Sequence, residues 1–290
     1  MGEKSVLTSV VITVYNEEEH IEGAVNSVLK QTYNNLELIV INDGSEDETE
    51  GTLRKNFDDK RMKLINIGRK GRTRALNCGV EAANGQFVAI LDADDRCLPR
   101  RVERQAEFLS NHKDVGVVGC DYIRKDTLRN EKYVRSYPKN DKSIRKEMAK
   151  YIPLAHSCVM FRRQAIMEAG GYDERLADHE DLDLWIRVAQ NWELANIPEP
   201  LVVRQIRSDS YWHSQFETHS RDMHLAKVNA RAVGALSLPY HYYLFPLARL
   251  IYSWLPTPLK RVARRLSSGI EESDIGPATH DKGVMQGSPE

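Results

Sequence analysis

Along the first hundred positions, apolar residues come in short unbroken runs separated by stretches where they recur every three or four residues. Thr8 to Val14 is a β-branched run, and Leu36 to Ile41, Lys63 to Ile67 and Phe87 to Leu91 follow it. Each has the length of a strand buried on both faces. Between the first two, Ile21, Ala24, Val25, Val28 and Leu29 mark one helical face, and Asn16 with Glu19 reads as the capping box that starts it. Asp43-Gly44-Ser45 forms a turn after the second run, and Ser45 with Glu48 reads as the capping box of the next helix. Gly71 to Ala83 carries Ala75, Leu76, Val80 and Ala83 at helical spacing and breaks at Asn84-Gly85. Wholly apolar strands alternating with amphipathic helices predict an α/β fold: a mostly parallel sheet flanked by helices and joined by right-handed crossovers.

The second half is less regular. Pro99 opens a helix to about Leu109, Val115 to Gly119 predicts a strand, and residues 124 to 150, dense in charge and weakly periodic, predict an excursion over the surface. Order returns with a strand from His156 to Phe161, a helix from Arg163 to Ala169 stopped by Gly170-Gly171, a helix over Leu182 to Gln190 and a last strand from Leu201 to Ile206. The pattern divides the chain into a main domain over 1–213, a helical C-terminal extension over 214–266, and a disordered tail over 267–290 rich in Ser, Gly, Pro and acid. In the extension, Tyr242, Tyr243, Phe245, Leu247 and Trp254 alternate with basic residues, and Pro246, Arg249 and Pro256 break the run too often for a membrane-spanning helix. With Lys260, Arg261, Arg264 and Arg265 following, it reads as a segment that lies on an anionic membrane surface, packs on the domain or joins a homodimer.

Composition narrows the function. With 290 residues, 41% of them hydrophobic, the chain has enough material for one large core. Lys+Arg 41 against Asp+Glu 42 leaves a net charge of -1, so no global field points to nucleic acid. Cys78, Cys97, Cys120 and Cys158 form no C-x-x-C pair and read as reduced thiols. The first seven residues hold no long apolar run, and Val6 stands where an N-myristoylation signal needs Ser or Thr, which points to a cytoplasmic protein, in its peripheral form on the inner face of the cell membrane.

Ligands of open α/β sheets bind outside the carboxyl ends of the strands. Three runs here end in polar loops, Tyr15-Asn16-Glu17, Asn42-Asp43-Gly44-Ser45 and Asp92-Ala93-Asp94-Asp95, which share one rim if the strands are parallel. A lone Asp43 in a turn is as often structural as functional, and its place on the rim makes it a candidate. Asp92, Asp94 and Asp95 repel one another unless a cation or hydrogen-bond donors offset the cost, and oxygen-only ligands suit Mg²⁺ or Mn²⁺ bridging to substrate phosphates. Asp95 reads equally as a helix cap before Pro99. Neither G-x-G-x-x-G after the first strand nor G-x-x-x-x-G-K-[ST] anywhere is present, which argues against hydride transfer and P-loop hydrolysis.

Val10-Val11-Ile12-Thr13-Val14-Tyr15-Asn16-Glu17, Asn42-Asp43-Gly44-Ser45 and Leu91-Asp92-Ala93-Asp94-Asp95 together resemble the family 2 glycosyltransferases of GT-A fold. The resemblance extends through Gly71 to Gly85, Gly170-Gly171-Tyr172-Asp173 and His179-Glu180-Asp181, and covers roughly residues 8 to 210. It implies that Asp43 hydrogen-bonds a nucleotide base, that Tyr15 with Thr13, Asn16 and Glu17 contacts the nucleotide, and that Asp92 and Ala93 lie at the donor. Asp94 would bind the metal, Mn²⁺ or Mg²⁺, with Asp95 sharing it. It also implies that Asp181 is the general base and that Glu180 binds the acceptor or positions the base, although read alone the pair is an acidic helix start before Leu184 and Trp185. Charge on the departing diphosphate calls for a basic side chain, Arg74 or Arg72.

One departure stands out. Where many relatives carry Arg-x-His near the last strand, this chain reads Arg204-Gln205-Ile206-Arg207, and Arg207 cannot ligate a metal. Either Arg207 contacts the diphosphate, or His213 approaches the site, or the metal site is weakened. The resemblance implies an inverting transfer from a nucleotide-diphosphate sugar to a hydroxyl of a glycan, polysaccharide or lipid-linked saccharide. The competing class is a catalytically silent nucleotide-sugar-binding protein. A sugar-1-phosphate nucleotidyltransferase would instead open with a Gly-rich, Arg-containing loop, which Tyr15-Asn16-Glu17 is not.

Overall fold

The computed structural model describes residues 5–126, 131–176, 178–206 and 219–255. Arg207, His213, Lys260, Arg261, Arg264, Arg265 and the whole of 267–290 lie outside the described residues.

The first half folds by the alternation inside each apolar run. In β1 (Thr8–Val14), Val10, Ile12 and Val14 enter one hydrophobic layer and Val11 the other. After α1 (Ile21–Leu29), β2 (Leu36–Asn42) divides in the same way, Leu38 and Val40 on one side, Ile39 and Ile41 on the other. Then come α2 (Thr49–Asn56), β3 (Met62–Asn66), α3 (Arg72–Ala82) and β4 (Phe87–Asp92). Helices α1 and α2 supply Ile21, Ala24, Val25, Val28 and Leu53 to the first layer, and α3 supplies Ala75, Leu76 and Val80 to the second. Each fully buried Val, Leu or Ile contributes about 1.5–3 kcal/mol, so a slip of one residue, which would invert both layers, is strongly disfavoured. Gly79 of α3 lies against β1 so closely that an added Cβ would run into the Val11 side chain.

Pairing in this half is parallel, in the order β3-β2-β1-β4, with Val14 opposite Asn42 and Thr13 opposite Asp92. The carboxyl ends of β1, β2 and β4 therefore share one rim.

Beyond β4 come β5 (Arg96–Cys97), α4 (Arg101–Asn111), β6 (Val115–Asp126), β7 (Glu131–Arg135) and α5 (Asp141–Glu147). A 3-10 turn at His156–Cys158 leads to β8 (Met160–Arg162), followed by α6 (Arg163–Glu168), α7 (Glu180–Val188) and β9 (Glu193–Ile206). The full order is β3-β2-β1-β4-β8-β6-β9-β5, with β7 paired to β6. Strand β8 is antiparallel to both β4 and β6, whereas β6 and β9 are parallel. The α/β class read from the sequence holds, with parallel pairing through β4 and mixed pairing beyond it. Helix α8 (His219–Ala235) buries Ala226, Val228, Ala232 and Val233 and packs on α7; α9 (Leu244–Trp254) follows a 3-10 turn at Tyr240–Tyr243. Up to Ser253 these helices belong to the same compact unit as the sheet.

Several local expectations are corrected. Residues 124–150 are not an excursion: β6 continues to Asp126, β7 is an edge strand that tolerates charge because much of it faces out, and α5 is capped by Asn140, which accepts from Ser143 N–H at 3.0 Å. Strand β9 begins at Glu193, eight residues before the predicted start, because Pro198 and Pro200 sit where its register with β6 shifts. The run His156–Phe161 is half 3-10 turn, half strand. Neither predicted capping box forms: no side chain caps α1 or α2, and Asn16 and Ser45 bond elsewhere.

Candidate active site

Two rim loops are tied to each other by the would-be capping residues. Asn16 turns the chain with φ 52°, a conformation asparagine tolerates better than most residues. Its Oδ1 accepts from Glu46 N–H at 2.8 Å and its own N–H donates to Ser45 Oγ at 3.0 Å. Glu17 N–H donates to Thr49 Oγ1 at 2.9 Å, and Ser45 Oγ donates to Asn42 Oδ1 at 2.7 Å. Between these loops Asp43 is buried, its carboxylate accepting from Lys70 N–H at 2.6 Å, from Gly71 N–H at 3.0 Å and from the Arg69 guanidinium. That guanidinium also lies 3.6 Å from the centre of the Tyr15 ring. The result is a carboxylate beside an aromatic face at the ends of β1 and β2.

At the end of β4, Arg72, the first residue of α3, joins segments far apart in sequence. Its Nη2 donates to Asp92 Oδ1 at 2.7 Å, its Nε to Glu180 Oε1 at 3.2 Å, and Nη2 also approaches His156 Nδ1 at 3.1 Å. Arginine only donates, so His156 Nδ1 is the acceptor and Nε2 carries the proton that bonds the Tyr172 hydroxyl at 2.9 Å. Burial and the Arg72 charge push His156 down to about 3, which keeps it neutral. Burial alone would raise the Asp92 carboxyl, but Arg72, with Arg204 behind it, outweighs it and holds Asp92 well below the usual carboxylate range. Ser157 Oγ accepts from Asp92 N–H at 3.0 Å.

A second arginine stands behind the first. Arg204, on β9, donates from Nε to Asp95 Oδ2 at 3.1 Å and lies 3.9 Å from Asp92 Oδ2. Gln205 N–H donates to Asp95 Oδ1 at 3.2 Å, and Gln205 Nε2 donates to Asp94 O at 3.2 Å. Even so, burial first, then the Asp94 and Asp92 charges, push the Asp95 carboxyl up to about 7 against the pull of Arg204. Among the described residues, no group of three or more His, Cys, Asp or Glu stands close enough to hold a metal ion by protein ligands alone.

Glu180 and Asp181 open α7. The residue before them, His179, has φ 60°, in the left-handed region that costs a non-glycine residue roughly 1–2 kcal/mol. Asp181 Oδ1 accepts from Leu182 N–H at 2.7 Å. Burial and the neighbouring Glu180 charge push Asp181 up to about 7, only partly offset by that N–H and by Arg72. Asp183, two residues on, is fixed by Arg187 and Arg231 and ties α7 to α8.

The structure thus gathers Asp92, Glu180, Asp181, Asp94 and Asp95 around Arg72 and Arg204, with Asp43, Tyr15, Asn16 and Glu17 on the neighbouring loops of the rim. Thr13 and buried Ala93 lie on either side of the β1 and β4 ends. Arg74 turns elsewhere, to Glu81 at 3.4 Å and Glu174 at 3.1 Å. Helical periodicity separates the two arginines: Arg72 shares its side of α3 with buried Ala75, Leu76 and Gly79, three, four and seven positions on, and Arg74 does not. Arg204, His156, Ser157 and Arg69 escaped the sequence reading. For Arg204 the signal was present, a basic residue inside an apolar run.

The glycosyl transferase family 2 model matches residues 9–170. EpsE of Bacillus subtilis (strain 168), which is named as a glycosyltransferase, is 33% identical over 260 residues, covering 86% of this chain and 89% of its own. Two solved structures share the fold at 18% identity and TM-score 0.65: S. aureus TarS 1-349 in complex with UDP-GlcNAc, over 85% of this chain and 72% of that one, and the mannosyltransferase PcManGT from Pyrobaculum calidifontis in complex with GDP-Man and Mn²⁺, over 93% and 81%. The chain belongs to glycosyltransferase family 2 and has the GT-A fold.

Proposed function

We propose that this glycosyltransferase is inverting, taking a sugar from a nucleoside diphosphate and placing it on a hydroxyl of a glycan, polysaccharide or lipid-linked saccharide. The observation that carries this reading is the Arg72 bridge, which holds the end of β4 and the start of α7 together at Asp92 and Glu180. The ligands of the two structural neighbours, UDP-GlcNAc and GDP-Man, support the donor class.

In this reading the base lies against Tyr15 and Asp43, with Thr13, Asn16, Glu17 and Ala93 around the nucleotide and Asp92 near the ribose. Asp181 takes the proton of the acceptor hydroxyl. The acceptor oxygen bonds to the anomeric carbon as the bond from that carbon to the diphosphate oxygen breaks, its electron pair leaving with the diphosphate. One in-line displacement inverts the configuration. Burial, with the Glu180 charge, keeps the Asp181 carboxyl basic enough to accept the proton, and Glu180 also anchors Arg72. We assign the charge beside the diphosphate to Arg72 ahead of Arg74, because Arg72 is the one that touches Asp92.

Asp94 and Asp95 would hold a divalent cation, Mn²⁺ or Mg²⁺. The residues fit such an ion: the side-chain donors, Asp94 and Asp95, are all oxygen, and one or two carboxylates with substrate phosphates and water are the usual set for Mg²⁺. When bound, it supplies positive charge to the leaving diphosphate.

Calorimetric titration with UDP, GDP and dTDP, each with and without Mn²⁺, tests donor class and metal together. Binding of one nucleotide that strengthens with Mn²⁺ is expected. No binding of any of the three would overturn the reading.

A further inference from the structure

Helix α9 is oriented with its polar side inward. Pro246 and Ser253 are buried against the protein, and Arg249 reaches in, donating from Nη2 to Lys150 O at 3.0 Å and pairing with Asp222 at 3.8 Å. Outward stand Leu244, Leu247 and Ile251, which are 63%, 52% and 60% exposed, three and four positions apart on one stripe. Tyr240, 89% exposed, and Tyr243 extend the stripe into the preceding turn. Among the described residues, Val134 and Met167 are the only large exposed hydrophobics outside the stretch from Tyr240 to Trp254. Scattered exposed apolar residues are ordinary on a soluble protein, but a contiguous patch marks an interaction surface.

Charge accompanies the patch. From Met223 to Ile270 the sequence has seven Lys and Arg and no Asp or Glu, although the whole chain has net charge -1. The basic run Lys260, Arg261, Arg264 and Arg265 follows the helix directly. Arg231 and Arg249 pair with Asp183 and Asp222, which leaves exposed Lys227 and the four basic residues after the helix; an apolar stripe flanked by tyrosines and accompanied by such charge has the chemistry of an interfacial helix on negatively charged lipid. No helix among the described residues is long and apolar enough to cross a membrane, so the contact this chemistry fits is with the surface.

We propose that α9 docks on an anionic lipid bilayer, with Leu244, Leu247 and Ile251 entering among the headgroups and the basic residues that follow it in the sequence drawn to lipid phosphate. A second copy of the chain fits less well, because the sequence from Met223 to Ile270 holds no carboxylate to meet its own basic residues in a two-fold partner. The proposal stands apart from the roles assigned at the rim.

The test is vesicle flotation of the full chain, with phosphatidylcholine vesicles and with phosphatidylcholine/phosphatidylglycerol vesicles. Binding that needs phosphatidylglycerol and falls as salt rises is expected. Leu247→Glu with Ile251→Glu should weaken it about tenfold or more, with thermal unfolding and nucleotide binding unchanged. If that variant misfolds, Lys260, Arg261, Arg264 and Arg265 all changed to Gln carry the test, with a similar loss expected. No flotation, or equal flotation with both vesicle types, overturns the proposal. So does a dimer in sedimentation velocity that Leu247→Glu with Ile251→Glu dissolves, which would assign the face to a second copy.

Discussion

Asp181 sits where two influences oppose proton loss, burial and the Glu180 carboxylate beside it, and only Leu182 N–H and Arg72 favour the charged form. A carboxyl raised to about 7 is half protonated near neutral pH, and the protonated half cannot accept a hydroxyl proton. With Asp181 as the base, kcat/KM should therefore climb through pH 7 and level off above it. Glu180→Gln removes a negative neighbour, which lowers the Asp181 pKa, so the rising limb should move to lower pH by about half to one unit. A pH profile whose limb stays in place would separate Glu180 from the base. Asp181→Asn keeps the shape and removes the proton acceptor. Transfer should fall by about 10²- to 10⁴-fold with donor binding, read by calorimetry, nearly unchanged. Asp43→Ala should do the reverse, weakening donor binding first; an equal loss of binding in both variants would contradict the division of roles.

Elements place these residues, and α3 does most of the positioning, because its first residue is Arg72 and its middle is pressed on β1 at Gly79. A methyl group at Gly79 would meet the Val11 side chain, so Gly79→Ala should push α3 outward and cost about 1–3 kcal/mol in denaturant unfolding. It should also raise the donor Kd, since Arg72 moves with the helix; an unchanged midpoint in urea would show that the helix and strand have room to adjust. Legibility in the sequence follows the same physics. Strands β1, β2 and β4 were readable because burial on both faces makes them apolar throughout. The early part of β9 was not, because a bulge admits Pro198 and Pro200 into a strand, and nothing local reveals a bulge. Asn16 and Ser45 were readable as side chains that bond backbone N–H groups. Which N–H groups they meet depends on the crossing of two loops, and they hold each other instead of their own helices. Arg72 and Arg74 differ only in helical phase, which the apolar positions of α3 already encode, whereas the meeting of Arg72 with Glu180 is a product of topology alone.

At the scale of the whole molecule, the parallel half of the sheet, which presents the Asp43 loop, must keep its place against the mixed half, which leads to α7 and β9. The join is the antiparallel pairing of β4 with the three-residue strand β8, too short to be rigid by ladder hydrogen bonds alone. Arg101 reinforces it from inside. Fully buried at the start of α4, it donates from Nη2 to Ile90 O at 2.8 Å on β4 and to Val159 O at 3.1 Å just before β8, and from Nε to Gln105 Oε1 at 3.0 Å. Gln105 in turn donates to Val118 O at 3.2 Å on β6 and to Cys158 O at 2.8 Å. One side chain and its partner thus stitch β4, β6 and the segment that leads into β8 where the two halves meet. Arg101→Met fills much of the same space without the donors; Val159 O keeps the Ile90 N–H, but Ile90 O and Gln105 Oε1 lose their Arg101 bonds at about 1–3 kcal/mol each, so a loss of roughly 2–4 kcal/mol in denaturant unfolding is expected. Because Arg101 touches none of the rim residues, nucleotide affinity measured well below the transition should change little. A variant that unfolds like the parent would show that the short ladder holds the halves together unaided, and one that stays folded but loses nucleotide binding would place Arg101 in control of the rim itself.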